Sequence, residues 1–242
     1  MRTACRAIGS GPSSSSGRSG ATTASSPSTS AATGIRHVRD TSLYDPEGMA
    51  ADAAAILDAL GIDRAIIGGE SMGAATALLF AARWPERVER LLLVAPAFGR
   101  DLNPDSLRLT GLGREIERVG LEQFLANSGE RLRSIHGAPP EVLAAVRRMH
   151  LSHDPGSLAV AFQAVSRWTV EPDLSRLSTR RPPAAVLAWS GDAMHPIALA
   201  REVAARLPGA RFEELPGWME VFADPAIIGR ALSRIFAGKG EG

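Results

Sequence analysis

The sequence predicts an α/β fold: a mostly parallel sheet with flanking helices and one helical insertion. Three observations carry this expectation. Residues 65–96 hold a buried strand, a buried helix and a second strand within about thirty residues, the length of one βαβ crossover. Two further strand signals, at 184–189 and 210–215, frame an amphipathic helix at 197–207. Between these groups, residues 98–180 carry apolar side chains mostly at helical spacing.

In chain order, the first element is a head of different composition. Residues 10–30 are mostly Ser, Gly, Thr and Ala without periodicity, and no acidic residue precedes Asp40. Such a stretch has no apolar face to bury, so residues 1–39 are expected to be disordered. An Arg- and Ser-rich, acid-poor head also fits a transit peptide, less well because it holds no amphipathic helix. No apolar core follows the first arginines, so a secretory signal is not expected.

Order is expected from Tyr44. Met49, Ala53, Ile56, Leu57 and Leu60 recur at helical spacing after Pro46, and Gly61 stops the helix. Residues 65–68, Ala-Ile-Ile-Gly, are an apolar run entering a Gly-rich turn, which suits a buried parallel strand. Gly69-Glu70-Ser71-Met72-Gly73 follows, then a buried helix over 74–82 that Trp84-Pro85 ends. Residues 89–96 are the next strand. In the insertion, Ile116, Leu121, Phe124 and Leu125 mark one helical pattern, residues 142–149 a second and Leu158, Phe162, Val165 and Trp168 a third, read as packing onto the core. The chain closes with a helix over 224–236, started by Pro225, and a Gly-rich tail.

The turn around Ser71 has a steric logic. A serine on a sharp strand-to-helix turn sits in a strained backbone, and its neighbours two residues to either side must be small. Gly69 and Gly73 occupy those places. The helix that follows aims its first N–H groups, Met72 foremost, at the serine hydroxyl, where they and the helix dipole can stabilise an oxyanion.

Residues 67–74, with Ala81-Ala82-Arg83-Trp84-Pro85-Glu86-Arg87-Val88 and Leu91-Leu92-Leu93-Val94-Ala95-Pro96, resemble the α/β-hydrolase superfamily, nearest to its small bacterial esterase, lactonase and C–C hydrolase branches. The resemblance covers roughly residues 40–238. It implies an α/β-hydrolase fold, N-terminally incomplete, with core residues 40–97 and 181–242 and a helical cap at 98–180. Ser71 then stands at the nucleophile elbow.

The resemblance also implies a triad in the order Ser, acid, His. Asp192, in the loop Trp189-Ser190-Gly191-Asp192-Ala193-Met194-His195-Pro196, matches the orienting acid, although the loop is two residues shorter than the family pattern. The family's His should follow Leu215-Pro216-Gly217, but no His occurs beyond His195. Glu220 falls nearest the vacant slot. A carboxylate with an ordinary pKa near ~4.3 is a poor base for a serine hydroxyl. His195 is the histidine near the acid loop and the candidate base, with Asp192 or Glu220 as partner; the alternative is that no base exists. His37, His136, His150 and His153 lie in no motif, and His150-x-x-His153 lacks a third ligand for a metal.

The family's second oxyanion donor comes from a loop after an early strand, and nothing in residues 1–40 resembles it. The expectation is an unpaired sheet edge beside the elbow strand, with the head read from a wrong frame or a misplaced start in place of the lost strands.

Composition narrows the function. With 242 residues, 45% apolar and 22% charged, the chain can bury one core. A net charge of +1 gives no electrostatic case for nucleic acid or membrane partners. The single cysteine, Cys5, excludes an internal disulfide and leaves cytoplasm as the default location. The reading is a serine hydrolase of small esters, lactones or related carbonyl compounds, with Ser71, Asp192 and His195 catalytic, Met72 N–H at the oxyanion, and no metal or cofactor. The alternative is a degenerate hydrolase-fold protein that binds a small apolar ligand or a protein without turnover.

Overall fold

The computed structural model describes residues 39–237; the expectations for the head, save its last residue Arg39, which pairs with Asp154, and for His37 lie outside them. Four strands, β1 (Ala65–Glu70), β2 (Val88–Val94), β3 (Ala184–Ala188) and β4 (Arg211–Glu214), form one sheet in chain order, and every pairing is parallel. The register aligns Ile67 with Leu91, Leu91 with Ala184, and Ala185 with Arg211. The carboxyl ends of all four strands therefore point the same way.

Side chains alternate across a strand, and here the alternation divides two cores. Ala184, Val186 and Ala188 of β3 join one core with Ile67, Leu91 and Leu93, whereas Ala185 and Leu187 join the other with Val94 and Trp189. The first core is covered by α1 (Pro46–Ala59), α2 (Met72–Arg83) and α8 (Ile197–Arg206). The second is covered by α9 (Trp218–Ala223) and α10 (Ala226–Ala237). Both faces being buried explains why β1 to β3 read as near-continuous apolar runs rather than alternating ones.

The two outer strands differ. Among the described residues β1 has β2 as its only strand neighbour. At the other side β4 carries Arg211, Glu213 and Glu214; Glu213 pairs with Arg234, and Glu214 pairs with Arg201 at 2.8 Å. Charge on an outer strand discourages pairing with another chain.

Between β2 and β3 lie α3 (Ser106–Val119), α4 (Leu121–His136), α5 (Pro140–Leu151), α6 (Pro155–Val165) and the short α7 (Ser175–Arg180). Ile116, Leu121, Phe124, Leu125 and Leu158 make their own cluster, and Phe162 bridges it to the main core, where Val165 and Trp168 are buried. Trp168 lies beyond the helix that its spacing implied, and its indole N–H donates to the Tyr44 carbonyl at 2.8 Å. Helix α9 answers no apolar period in the sequence. Six residues between Gly217 and Asp224-Pro225 form a helix where a loop was expected.

Candidate active site

Ser71 is the residue between β1 and α2, at φ 53° and ψ −111°. A side chain at positive φ crowds the backbone and is held only when its surroundings over-determine it. Here the Ser71 N–H donates to the Val94 carbonyl at 3.0 Å, and the Ser71 carbonyl accepts from Ala74 and Ala75 at 3.0 and 3.2 Å. Gly69 makes the turn possible: a Cβ there would stand 2.5 Å from the Gly73 carbonyl oxygen. The sequence requirement for small residues on both sides of Ser71 thus has a direct cause, since these two glycines pass within contact of each other.

The loop after β3 brings the other two groups. His195 Nε2 lies 2.9 Å from Ser71 Oγ, and His195 Nδ1 lies 2.7 Å from Asp192 Oδ2. A carboxylate can only accept, so Nδ1 carries the proton, Nε2 presents its lone pair, and the Ser71 hydroxyl donates to it. Three residues along one loop suffice because residues 192–195 form a turn. The His195 N–H reaches the Asp192 carbonyl at 3.3 Å, and the Met194 N–H caps Asp192 Oδ1 at 3.0 Å. The imidazole then leaves the turn on the side of Ser71.

Asp192 is held ionised by its partners. Burial alone would raise its pKa, but hydrogen bonds from His195, the Trp189 indole at 3.0 Å and the Met194 N–H outweigh that and pull it to about 2. Trp189, 1% exposed, also places its ring edge against the imidazole, centroids 6.1 Å apart. In the sequence Trp189 marks only the end of a strand. The signal was present, since a buried indole needs an acceptor and Asp192 is three residues away.

Met72 is the first residue of α2, and no hydrogen bond to another described residue occupies its N–H. Glu220, by contrast, is exposed in the first turn of α9 with its carboxylate over Gly217, where a Cβ would meet Oε2 at 2.5 Å. It is a helix-end charge and does not touch the site. His136 is exposed at the end of α4. His150 is half-buried beside Phe124 and Phe162, with Nδ1 2.8 Å from the Val146 carbonyl, and desolvation lowers its pKa to about 4. His153 Nδ1 faces the Met149 carbonyl at 2.8 Å. Among the described residues no three His, Cys, Asp or Glu side chains gather at metal-binding distance, and no helix is long and apolar enough to cross a membrane.

One side chain of the site region went unnoticed in the sequence. Asn103, 3% exposed, donates to the carbonyls of Ala97 at 2.7 Å and Met194 at 2.8 Å.

Comparison with known proteins places this geometry in context. The family model for the alpha/beta hydrolase fold matches residues 9–221. A 2-hydroxy-6-oxo-6-phenylhexa-2,4-dienoate hydrolase of Comamonas testosteroni is 54% identical over 41 residues, which is 17% of this chain and 14% of that protein. A Caulobacter protein named for carbamate hydrolysis is 26% identical over 194 residues, 72% of this chain and 66% of its own. The chain thus spans less than two thirds of the length of either relative. Among solved structures, a thermophilic esterase from Thermogutta terrifontis superposes with a TM-score of 0.62 at 25% identity, over 80% of this chain and 72% of that one.

Proposed function

The chain belongs to the alpha/beta hydrolase fold family, and from that premise we propose that it is a serine hydrolase acting on a small ester, lactone or related carbonyl compound. The observation that carries the reading is the continuous hydrogen-bonded line from Ser71 Oγ through His195 to Asp192, at 2.9 and 2.7 Å. Hydrolysis of a small molecule is also what the names of the Comamonas and Caulobacter relatives share.

Each group has one task in this reading. Ser71 Oγ attacks the substrate carbonyl while its proton passes to His195 Nε2. Asp192 fixes the tautomer and stabilises the imidazolium that results. The carbonyl oxygen, now an oxyanion, accepts from the Met72 N–H at the positive end of α2. Collapse breaks the bond to the leaving group, which takes the proton from Nε2 and leaves an acyl-Ser71 ester. Water then attacks the acyl carbon, His195 takes one of its protons, and Ser71 departs reprotonated. Neither a metal ion nor an organic cofactor enters these steps. Residues 98–180, as a cap, would shape the pocket for the acyl or alcohol part.

The rival reading, a ligand-binding protein without turnover, was motivated by the absence of a histidine after the last strand. That motive weakens once an imidazole stands in hydrogen-bond reach of Ser71. A fluorophosphonate probe decides between them. Wild type should be labelled and Ser71→Ala should not; an intact, folded wild type that resists labelling would establish the non-catalytic reading.

A further inference from the structure

In an arrangement where acid and base sit on separate loops, each is anchored by its own strand. Here both lie on one loop, so the bond between them fixes their mutual geometry and says nothing about their position relative to Ser71. Something outside the loop must set that distance. Within the loop the Trp189 indole holds Asp192 at 3.0 Å; of the hydrogen bonds that reach residues 192–195 from outside the 189–196 loop in the described chain, one is Ser71's own bond to His195 and the other comes from Asn103 to the Met194 carbonyl.

Asn103 is built for such a task. Its Oδ1 accepts from the Asp105 N–H at 2.8 Å, which fixes the carboxamide orientation and leaves both Nδ2 protons to donate. One goes to Ala97 at 2.7 Å and the other to Met194 at 2.8 Å. Every polar atom of a side chain 3% exposed is therefore used. Ala97 lies three residues beyond Val94, whose carbonyl holds the Ser71 N–H at 3.0 Å. The carboxamide thus joins the segment that holds the nucleophile to the residue next to the base. The Met194 peptide is held from both sides, by Asp192 through its N–H and by Asn103 through its carbonyl.

We propose that Asn103 is a positioning residue for hydrolysis, setting the reach of His195 Nε2 to Ser71 Oγ through the Met194 carbonyl. This rests on the serine-hydrolase reading. Asn103 touches neither substrate nor the reacting atoms. Its loss should leave the His195–Asp192 pair intact while misplacing the pair as a unit.

The test uses the full chain with p-nitrophenyl acetate and a fluorophosphonate probe. Asn103→Leu keeps the volume and removes both donors; Asn103→Ser leaves at most one. The expected result is a fall in kcat and in labelling rate of roughly ten- to a hundredfold with KM changed by less than about threefold, as for misplacement by a fraction of an ångström to an ångström. The downfield proton resonance of the His195–Asp192 pair, assigned by its loss in His195→Ala, should persist in the same variant. Wild-type kcat in a folded Asn103→Leu or Asn103→Ser protein overturns the proposal. So does loss of that resonance together with activity, which would make Asn103 a support of the loop's fold, and so does failure of both variants to fold. A wild type that neither hydrolyses the ester nor takes the probe overturns the hydrolase reading itself, and is told apart because no variant is needed to see it.

Discussion

His195 Nε2 lies 2.9 Å from Ser71 Oγ although the two residues follow strands that are not neighbours. β2 stands between β1 and β3, and two inter-strand steps amount to about 9.5 Å. The contact spans the end of β2, after which Ala95, Pro96 and Ala97 are small or compact and buried. Four further predictions follow from this arrangement and its surroundings.

The first separates the two candidate bases. His195→Ala should lower kcat for p-nitrophenyl acetate by at least about a thousandfold, the scale on which loss of a triad base is felt. Glu220→Gln should stay within about twofold of wild type, because Glu220 lies over Gly217 at the exposed start of α9. The reverse ranking of the two variants in a steady-state assay would remove His195 from the reaction.

Asp192 ties activity to acid stability. Its pKa is drawn from the ordinary 3.8 down to about 2 in the fold, so the unfolded chain binds this proton first as pH falls. The stabilisation is complete above about pH 4 and is lost as pH drops towards 2, amounting to about 2 kcal/mol. Asp192→Asn should flatten that part of the stability–pH curve in urea titrations and reduce kcat by about ten-thousandfold through the wrong imidazole tautomer. An unchanged acid limb contradicts the assignment.

His150 should produce a second, separate pH effect. Burial holds it neutral in the fold, with a pKa near 4 against the ordinary 6.5. Between these values the unfolded chain is protonated and the folded chain is not, so stability falls as pH drops from 6.5 to 4 and levels off below. The full effect is about 3 kcal/mol. In His150→Leu, the slope of Tm against pH in that window should shrink, with Ser71 labelling near neutral pH unchanged. An undiminished slope would show that His150 titrates normally.

Gly69 should tolerate no side chain. Gly69→Ala forces a methyl group against the Gly73 carbonyl, and overpacking of this kind costs about 1–3 kcal/mol. Urea unfolding should show the lower midpoint, and labelling of Ser71 should fall with it because the turn that exposes the hydroxyl is displaced. An alanine variant with wild-type midpoint and labelling would mean that the turn relaxes freely.

Much of this architecture was legible from periodicity alone. Runs such as Leu91-Leu92-Leu93-Val94, buried from both faces, announce a parallel strand, and Gly61 and Trp84-Pro85 mark the ends of α1 and α2. Helix α9 was not legible, since six residues are too few for a period and the family pattern reads a loop there. In the site, Ser71 and Asp192 are fixed by motif and by the strands before them. His195 could be nominated as the nearby imidazole, but its contact depends on a turn whose direction no spacing rule specifies. Asn103 left no trace: its partner Met194 is 91 positions away, and a lone Asn before a proline reads as an ordinary turn. Long-range polar contacts of single side chains carry no local signature.

Under the hydrolase reading, the 189–196 loop has a consequence for descent. Acid and base are encoded within four consecutive codons, so one short insertion or deletion there would alter both at once, and they can only be inherited together. The stretch after β4 then carries no catalytic demand, and α9 there serves the second core through Val221.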